Sequence, residues 1–210
     1  MANTHFQTLL AKTPVLPVVT IQRAEDTLPL AEALVAGGLT AIEVTLRTSS
    51  ALSAIEAIAR EFPQLSVGAG TVLSEYNARE ALAAGANFLV SPGIVPELLE
   101  GETPLPYLPG VATPSEMMRV LATGLTEAKL FPAAAIGGVQ LLKAVASPLS
   151  ELKFCPTGGI NQTNLSDYLA LSNVFAVGGS WMVEEKLIRE KDWQAITNLC
   201  LAISEKTAHE

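Results

Sequence analysis

Short apolar runs alternate with stretches of helical period along the whole chain. The apolar runs predict strands over Val15–Gln22, Ala41–Arg47, Leu65–Val72, Phe88–Gly93, Tyr107–Ala112, Glu127–Pro132, Lys153–Gly159 and Val174–Ser180. The stretches between them carry helix start and stop signals. Leu52, Ile55, Ala59 and Phe62 fall on one helical face after Ser49 and Ser50, and Pro63 ends that helix. Ser74 opens the next helix, which runs to Gly85. Pro114 takes a first helical position and Gly124 closes that helix. Asp192 caps a last helix bearing Trp193, Ile196, Cys200 and Ile203. The segment from Pro92 to Pro109, rich in Pro and Gly, predicts a short unit with poor helix. A faint internal echo ends three helices just before strands: Ala33-Leu-Val-Ala-Gly37, Ala81-Leu-Ala-Ala-Gly85 and Val120-Leu-Ala-Thr-Gly124.

Strands separated by helices must pair in parallel through right-handed crossovers. Eight such units in 210 residues predict an α/β fold, a single (β/α)8 TIM barrel over residues 1–210 with no linker or second domain. An open doubly wound sheet is the alternative. It would carry a Gly-rich dinucleotide turn after the first strand, where Gln22-Arg23-Ala24 stands instead.

In a barrel, alternate residues of each strand face the helices and the axis. On the second strand Ile42, Val44 and Leu46 must face the helices, which turns Glu43, Thr45 and Arg47 inward. Buried charge is costly without partners, so three polar side chains aimed at the axis predict a site at its open end, or an ion pair closing the barrel. On the sixth strand Lys129 also points inward, between Glu127 and Phe131. Loss of hydration favours its neutral amine, the form that attacks a carbonyl to make a Schiff base. A lysine paired with Glu43 for stability alone is the other reading. Lys153 is a rival amine, but it lies four residues before Thr157, about 13 Å toward the opposite end of the barrel.

Two Gly-rich turns follow, Thr157-Gly158-Gly159-Ile160 after strand seven and Val177-Gly178-Gly179-Ser180 after strand eight. Loops at these positions of a β/α barrel often hold phosphate on backbone N–H groups, and glycine lets the oxygens approach. Thr71 can present a hydroxyl at the end of strand three, and Gly137-Gly138 can lend N–H groups at the start of a helix.

Composition narrows what such a barrel can bind. The chain is 49% hydrophobic and 16% charged, which marks it as globular. Its net charge of −8 argues against nucleic acid or an anionic membrane as a partner. An anionic ligand must therefore be held by local donors. Cys155 and Cys200 have no metal-type spacing and predict reduced, apolar residues. Met1–Val15 lacks the apolar stretch of a signal peptide, and no run is long enough to span a membrane, which predicts a cytoplasmic protein. The only histidines are His5 and His209, so no His-rich zinc site can stabilise an enolate; if carbon–carbon chemistry is done here, a lysine must act as electron sink. That also counts against metal-dependent sugar-phosphate epimerases.

Nearly the whole chain resembles the 2-keto-3-deoxy-6-phosphogluconate (KDPG) aldolases, also called 2-keto-4-hydroxyglutarate (KHG) aldolases. The resemblance is carried by Glu43-Val-Thr-Leu-Arg47-Thr, Val67-Gly-Ala-Gly-Thr71-Val, Ser91-Pro-Gly93, Lys129-Leu-Phe131-Pro, Pro156-Thr-Gly-Gly-Ile160 and Gly178-Gly-Ser-Trp181. It implies a class I aldolase with Lys129 as Schiff-base lysine and Glu43 as general acid and base. It also implies that Arg47, Thr71 and Pro92 line the pyruvate end, with Phe131 beside the lysine. Thr157, Gly158, Gly159, Gly179 and Ser180 would surround the phosphate. The implied partners are a phosphorylated keto acid and pyruvate, with no metal or cofactor, in a homotrimer. The chain departs from the family where many relatives carry Phe-Phe-Pro-Ala-Glu after the lysine. Here Leu130-Phe-Pro-Ala-Ala134 makes the wall above the amine more apolar. Two other functions would use the same barrel: a metal-free phosphosugar isomerase or synthase, and a non-catalytic phosphosugar-binding protein.

Overall fold

Strand β2 (Ala41–Thr45) is buried at every residue, as a strand must be when helices cover one face and a closed interior fills the other. The structure, a computed structural model, describes residues 6–101, 103 and 105–207. From β2 the hydrogen-bonded order runs one way to β1 (Val15–Val19) and β9 (Val177–Gly179). It runs the other way to β3 (Ser66–Gly70), β4 (Phe88–Val90) and β5 (Tyr107–Leu108). A second group joins β6 (Gly110–Val111), β7 (Glu127–Leu130) and β8 (Lys153–Phe154). All pairings are parallel.

The two groups form one ring. β5 and β6 are halves of one strand position, parted at Pro109, whose carbonyl accepts from Lys129 N–H at 2.8 Å. Bridges from Phe154 to Val174 and from Thr157 to Gly178 join β8 to β9. Eight strand positions thus close into the predicted barrel. The predicted strand five is split because Pro109 has no N–H to give, and strand seven is cut to two residues before Pro156 for the same reason. The first and last strands also end earlier than predicted, at Val19 and Gly179.

The outer layer comprises α2 (Thr27–Ala36), α3 (Ala51–Glu61), α4 (Glu75–Ala83), α5 (Pro96–Glu100) and α6 (Pro114–Ala122). It continues with α7 (Gly138–Val145), α8 (Leu165–Leu169), α9 (Glu185–Glu190) and α10 (Trp193–Thr207). The predicted stop and start signals operate. Ser74 accepts from Asn77 N–H, Asp192 accepts from Ala195 N–H, and Thr113 forms a capping box with Glu116 ahead of Pro114. Gly85 and Gly124 sit at φ +89° and +84°, beyond the reach of most side chains. Among the described residues of the Pro92–Pro109 unit, the α-helix is the five residues of α5, followed by β5.

The core has two layers. Ile42, Val44, Val67, Ala69 and Leu89 belong to the large cluster between strands and helices. A smaller one fills the bottom of the barrel with Leu16, Ala41, Phe88, Leu108, Cys155 and Ala176. The first helix, α1 (Phe6–Leu9), closes that end. Phe6 inserts edge-on against Phe88, centroids 5.5 Å apart, a burial worth roughly 2–3 kcal/mol. Glu127, inward on β7, accepts from the Phe6 and Gln7 N–H groups at 2.8 and 3.1 Å. His5 and His209 lie outside the described residues. No helix among the described residues is long and apolar enough to cross a membrane.

Candidate active site

With α1 over the bottom, the cavity that borders the inward-facing polar residues opens at the C-terminal ends of the strands. There β2 and β7, four positions apart on an eight-position ring, face each other across the axis. Glu43 and Lys129 are long enough to meet in the middle. Nζ stands 3.2 Å from Oε1 and 3.4 Å from Oε2. Glu43 is 1% exposed and Lys129 5%. The neighbouring strand yields the room they need: a Cβ at Gly70 would overlap the Glu43 carboxylate. The Phe131 ring centroid lies 5.5 Å from Nζ. Below the pair, burial pushes the Cys155 thiol up to about 12, an effect the nearby ammonium of Lys129 opposes. Lys153, the rival amine, donates to Ser172 O at 3.0 Å on the exposed opposite rim.

Arg47 lies two residues past β2 and is exposed, so it does not continue the inward column as expected. It stands on the rim, where Nε donates to the Thr71 hydroxyl at 3.1 Å. Thr71 has φ +57°, a strained conformation for a β-branched residue of the kind that clusters at functional sites. Pro92 sits in a turn tied down from below. The Ser91 hydroxyl bonds the Tyr107 hydroxyl at 2.6 Å, and the Val95 N–H donates to the same phenol at 3.1 Å. A Cβ at Gly110 would overlap the Pro92 backbone.

A cavity of about 530 Å³ opens at this mouth, walled by Val18, Thr20, Arg47, Gly159, Ser180 and Trp181 among others. Val18 is in register with Glu43, so the cavity reaches down beside the buried pair. Gly158 and Gly159 have φ of +100° and +79°, and among the described residues their N–H groups have no backbone acceptor. Together they offer an anion a cradle. Thr157 lies below, 6% exposed, its hydroxyl turned to Cys155 O at 3.4 Å. Two further glycines have close neighbours. The Cβ side of Gly179 is filled by the Trp181 ring, and Gly138 N–H is already committed to Ala133 O at 2.9 Å. Ala134, the departure from the family pattern, packs on Gly159, and its N–H donates to Gly158 O at 3.0 Å.

Sequence reasoning missed the Ser91–Tyr107 support, the Glu127 tie and the hydroxyl bond between Thr20 and Thr45 (2.9 Å). Alternation marked Glu127 and Thr45 as inward; nothing in the sequence paired them. Among the described residues no group of three His, Cys, Asp or Glu is placed to hold a metal ion.

A buried amine touching a buried carboxylate can add to a carbonyl and pass protons without leaving the site. Comparison with known proteins gives that chemistry a context. The family model "KDPG and KHG aldolase" matches residues 6–199. The KHG/KDPG aldolase of Escherichia coli (strain K12) is 47% identical over 199 residues, covering 94% of this chain and 93% of the relative. The 2-dehydro-3-deoxy-phosphogluconate aldolase of Pseudomonas aeruginosa is 46% identical over 206 residues, covering 97% and 94%. A crystal structure of KDPG aldolase from Legionella pneumophila, with pyruvate captured at low pH as a covalent carbinolamine intermediate, superposes with a TM-score of 0.92. It shares 48% identity and covers 95% of this chain and 98% of that one. The 2-keto-3-deoxy-6-phosphogluconate aldolase of Zymomonas mobilis ZM4, solved with 3-phosphoglycerate, gives a TM-score of 0.88 at 42% identity, covering 97% and 96%. Barrel, mouth and kinship agree: this chain is a member of the KDPG and KHG aldolase family, a carbon–carbon lyase of the Schiff-base class.

Proposed function

We propose that the protein cleaves 2-dehydro-3-deoxy-6-phosphogluconate to pyruvate and glyceraldehyde 3-phosphate, and 4-hydroxy-2-oxoglutarate to pyruvate and glyoxylate, with Lys129 as the covalent amine. The observation that carries this reading is the Lys129–Glu43 contact of 3.2 Å, buried below a mouth that bears the Gly158–Gly159 turn. Passing a proton from Nζ to Glu43 cancels two buried charges at once and frees the nucleophile.

The neutral amine adds to the C2 ketone, and one proton of the adduct nitrogen passes to the oxygen to give the carbinolamine. Glu43 returns the proton to the departing oxygen, water leaves, and a protonated imine forms. Glu43, again a carboxylate, takes the C4 hydroxyl proton. The C3–C4 electron pair moves into the imine, giving an enamine of pyruvate and releasing the aldehyde. Glu43 gives its proton to C3, and water hydrolyses the imine to free pyruvate and the lysine. Arg47 and Thr71 hold the carboxylate of the pyruvate half at the rim. Pro92 and Phe131 shape the wall around it. Gly158, Gly159 and Ser180 hold the phosphate, with Thr157 and Gly179 as the packed floor beneath, and binding there positions the reacting bond.

Two further expectations travel with this reading. Leu73, Tyr76 and Met118 are large apolar side chains left 60–61% exposed, which suits burial in a homotrimer; light scattering checks the mass. Two buried free thiols suit a reducing compartment, the cytoplasm.

Borohydride added with pyruvate should trap a stable adduct, and peptide mapping should place it on Lys129. Lys129→Ala should lose trapping and turnover while keeping the fold by circular dichroism. Full activity in that variant ends the proposal. Glu43→Gln should fold and lose about 10²–10⁴-fold in kcat. An unfolded Glu43→Gln whose residual kinetics are normal would make the pair a structural ion pair instead.

A further inference from the structure

On the proposed lyase reading, the pyruvate half is held by Lys129 and Glu43 and the phosphate end by Gly159 and Ser180. The bond-breaking end of the aldehyde half must then cross the wall between them. Strand register identifies that wall. Val18 pairs with Glu43 on β2, and Pro17 pairs with Gly179 on β9, so β1 lies between the reacting carboxylate and Ser180. Val18 on β1, and Thr20 and Gln22 past its end, line the mouth cavity from this side. Two residues further along a strand is a rise of about 6–7 Å, so Thr20 stands one layer above Glu43, toward the mouth.

Thr20 is also wired. Its hydroxyl lies 2.9 Å from that of Thr45, which is 0% exposed and whose hydroxyl has no other partner among the described residues. A hydroxyl has one proton to give and two lone pairs to fill, and leaving a buried donor unmade is the costly choice. Thr45 therefore donates to Thr20. That leaves Thr20, half-buried on the cavity wall, with its own proton free to point into the cavity.

We infer that Thr20, oriented by Thr45, is a specificity-determining residue that donates a hydrogen bond to the oxygen on C5, the carbon next to the one released as the aldehyde carbonyl. The ligand class it selects is a 2-oxygenated aldehyde. An aldehyde with no oxygen at that carbon gives the donor no partner.

The test runs the reaction in the direction of carbon–carbon bond formation, with pyruvate and one of two acceptors: glyceraldehyde 3-phosphate or its 2-deoxy analogue. The wild-type enzyme should favour the hydroxylated acceptor about tenfold in kcat/KM, the value of one net hydrogen bond of about 1.4 kcal/mol. Thr20→Val should cut that ratio below about twofold and leave borohydride trapping of pyruvate at the wild-type rate. Thr20→Ser should restore the preference. Thr20→Val leaves Thr45 unpaired, so the double variant Thr20→Val/Thr45→Val, apolar at both positions, is measured beside it and should show the same lost preference. A tenfold preference kept in both valine variants overturns the assignment. Absence of pyruvate trapping in the wild-type enzyme would instead sink the lyase reading on which it rests.

Discussion

Gly70 lies against the Glu43 carboxylate so closely that a methyl group at residue 70 would overlap Oε1 and crowd Cγ and Cδ. The glycine is needed for space. Gly70→Ala must push the carboxylate off its 3.2 Å contact with Lys129 or deform β3. Overpacking costs about 1–3 kcal/mol, and a 1 Å misplacement costs on the order of 10²-fold in rate. The expected outcome is a folded variant with kcat down about a hundredfold and slower trapping of pyruvate. Steady-state kinetics beside a urea titration measures both, and an unchanged kcat would show that the carboxylate position is not limiting.

Acid should loosen α6 at an identified point. Burial raises the Glu116 carboxyl, but bonds from the Ala112 N–H, the Thr113 hydroxyl and the Thr113 N–H outweigh it and hold the group below its ordinary 4.5. A depressed carboxyl stabilises the fold above its unfolded value and loses that contribution as pH falls through its folded value. Glu116→Gln should therefore be less stable than wild type near neutral pH by about 0.5–1 kcal/mol, with the gap closing below pH 4.5. Urea midpoints measured from pH 7 to pH 3 follow the gap. A constant difference would remove the charge from the explanation.

Both cysteines should behave as apolar side chains. Burial pushes the Cys155 and Cys200 thiols up to about 12 from an ordinary 9.0. Thiol reagents at pH 8 should modify neither in the native protein and both in denaturant. Protonated burial is stabilising below 9.0, and the benefit drains away as pH climbs toward 12. Wild type should accordingly lose stability above pH 9 faster than a Cys155→Ala/Cys200→Ala variant. Rapid labelling of the native protein would contradict the burial.

The barrel was legible because its signals are local. Alternation on β2 and β7 turns Glu43 and Lys129 inward, and the start signals at Ser74, Pro114 and Asp192 mark helix starts where the structure has them. What was not legible is what depends on distance through space. Arg47 carries the inward parity of its strand, yet β2 ends at Thr45 and the side chain spreads over the rim to Thr71. Pro109 and Pro156 sit inside apolar runs and interrupt the ladders without disturbing the hydrophobic pattern. The four residues of α1 are too few to show a period. Gly138 reads as a free N–H at the start of a helix, whereas Ala133 O already accepts from it.

The Glu127 tie sets an order of events. Phe6 and its acceptor are 121 residues apart, so the stopper at the foot of the barrel cannot seat until β7 has been synthesised and placed. A turn made 121 residues ahead of its acceptor has to wait for it. Until it does, the cylinder is a tube open at both ends, with Phe88 and its neighbours wetted from below.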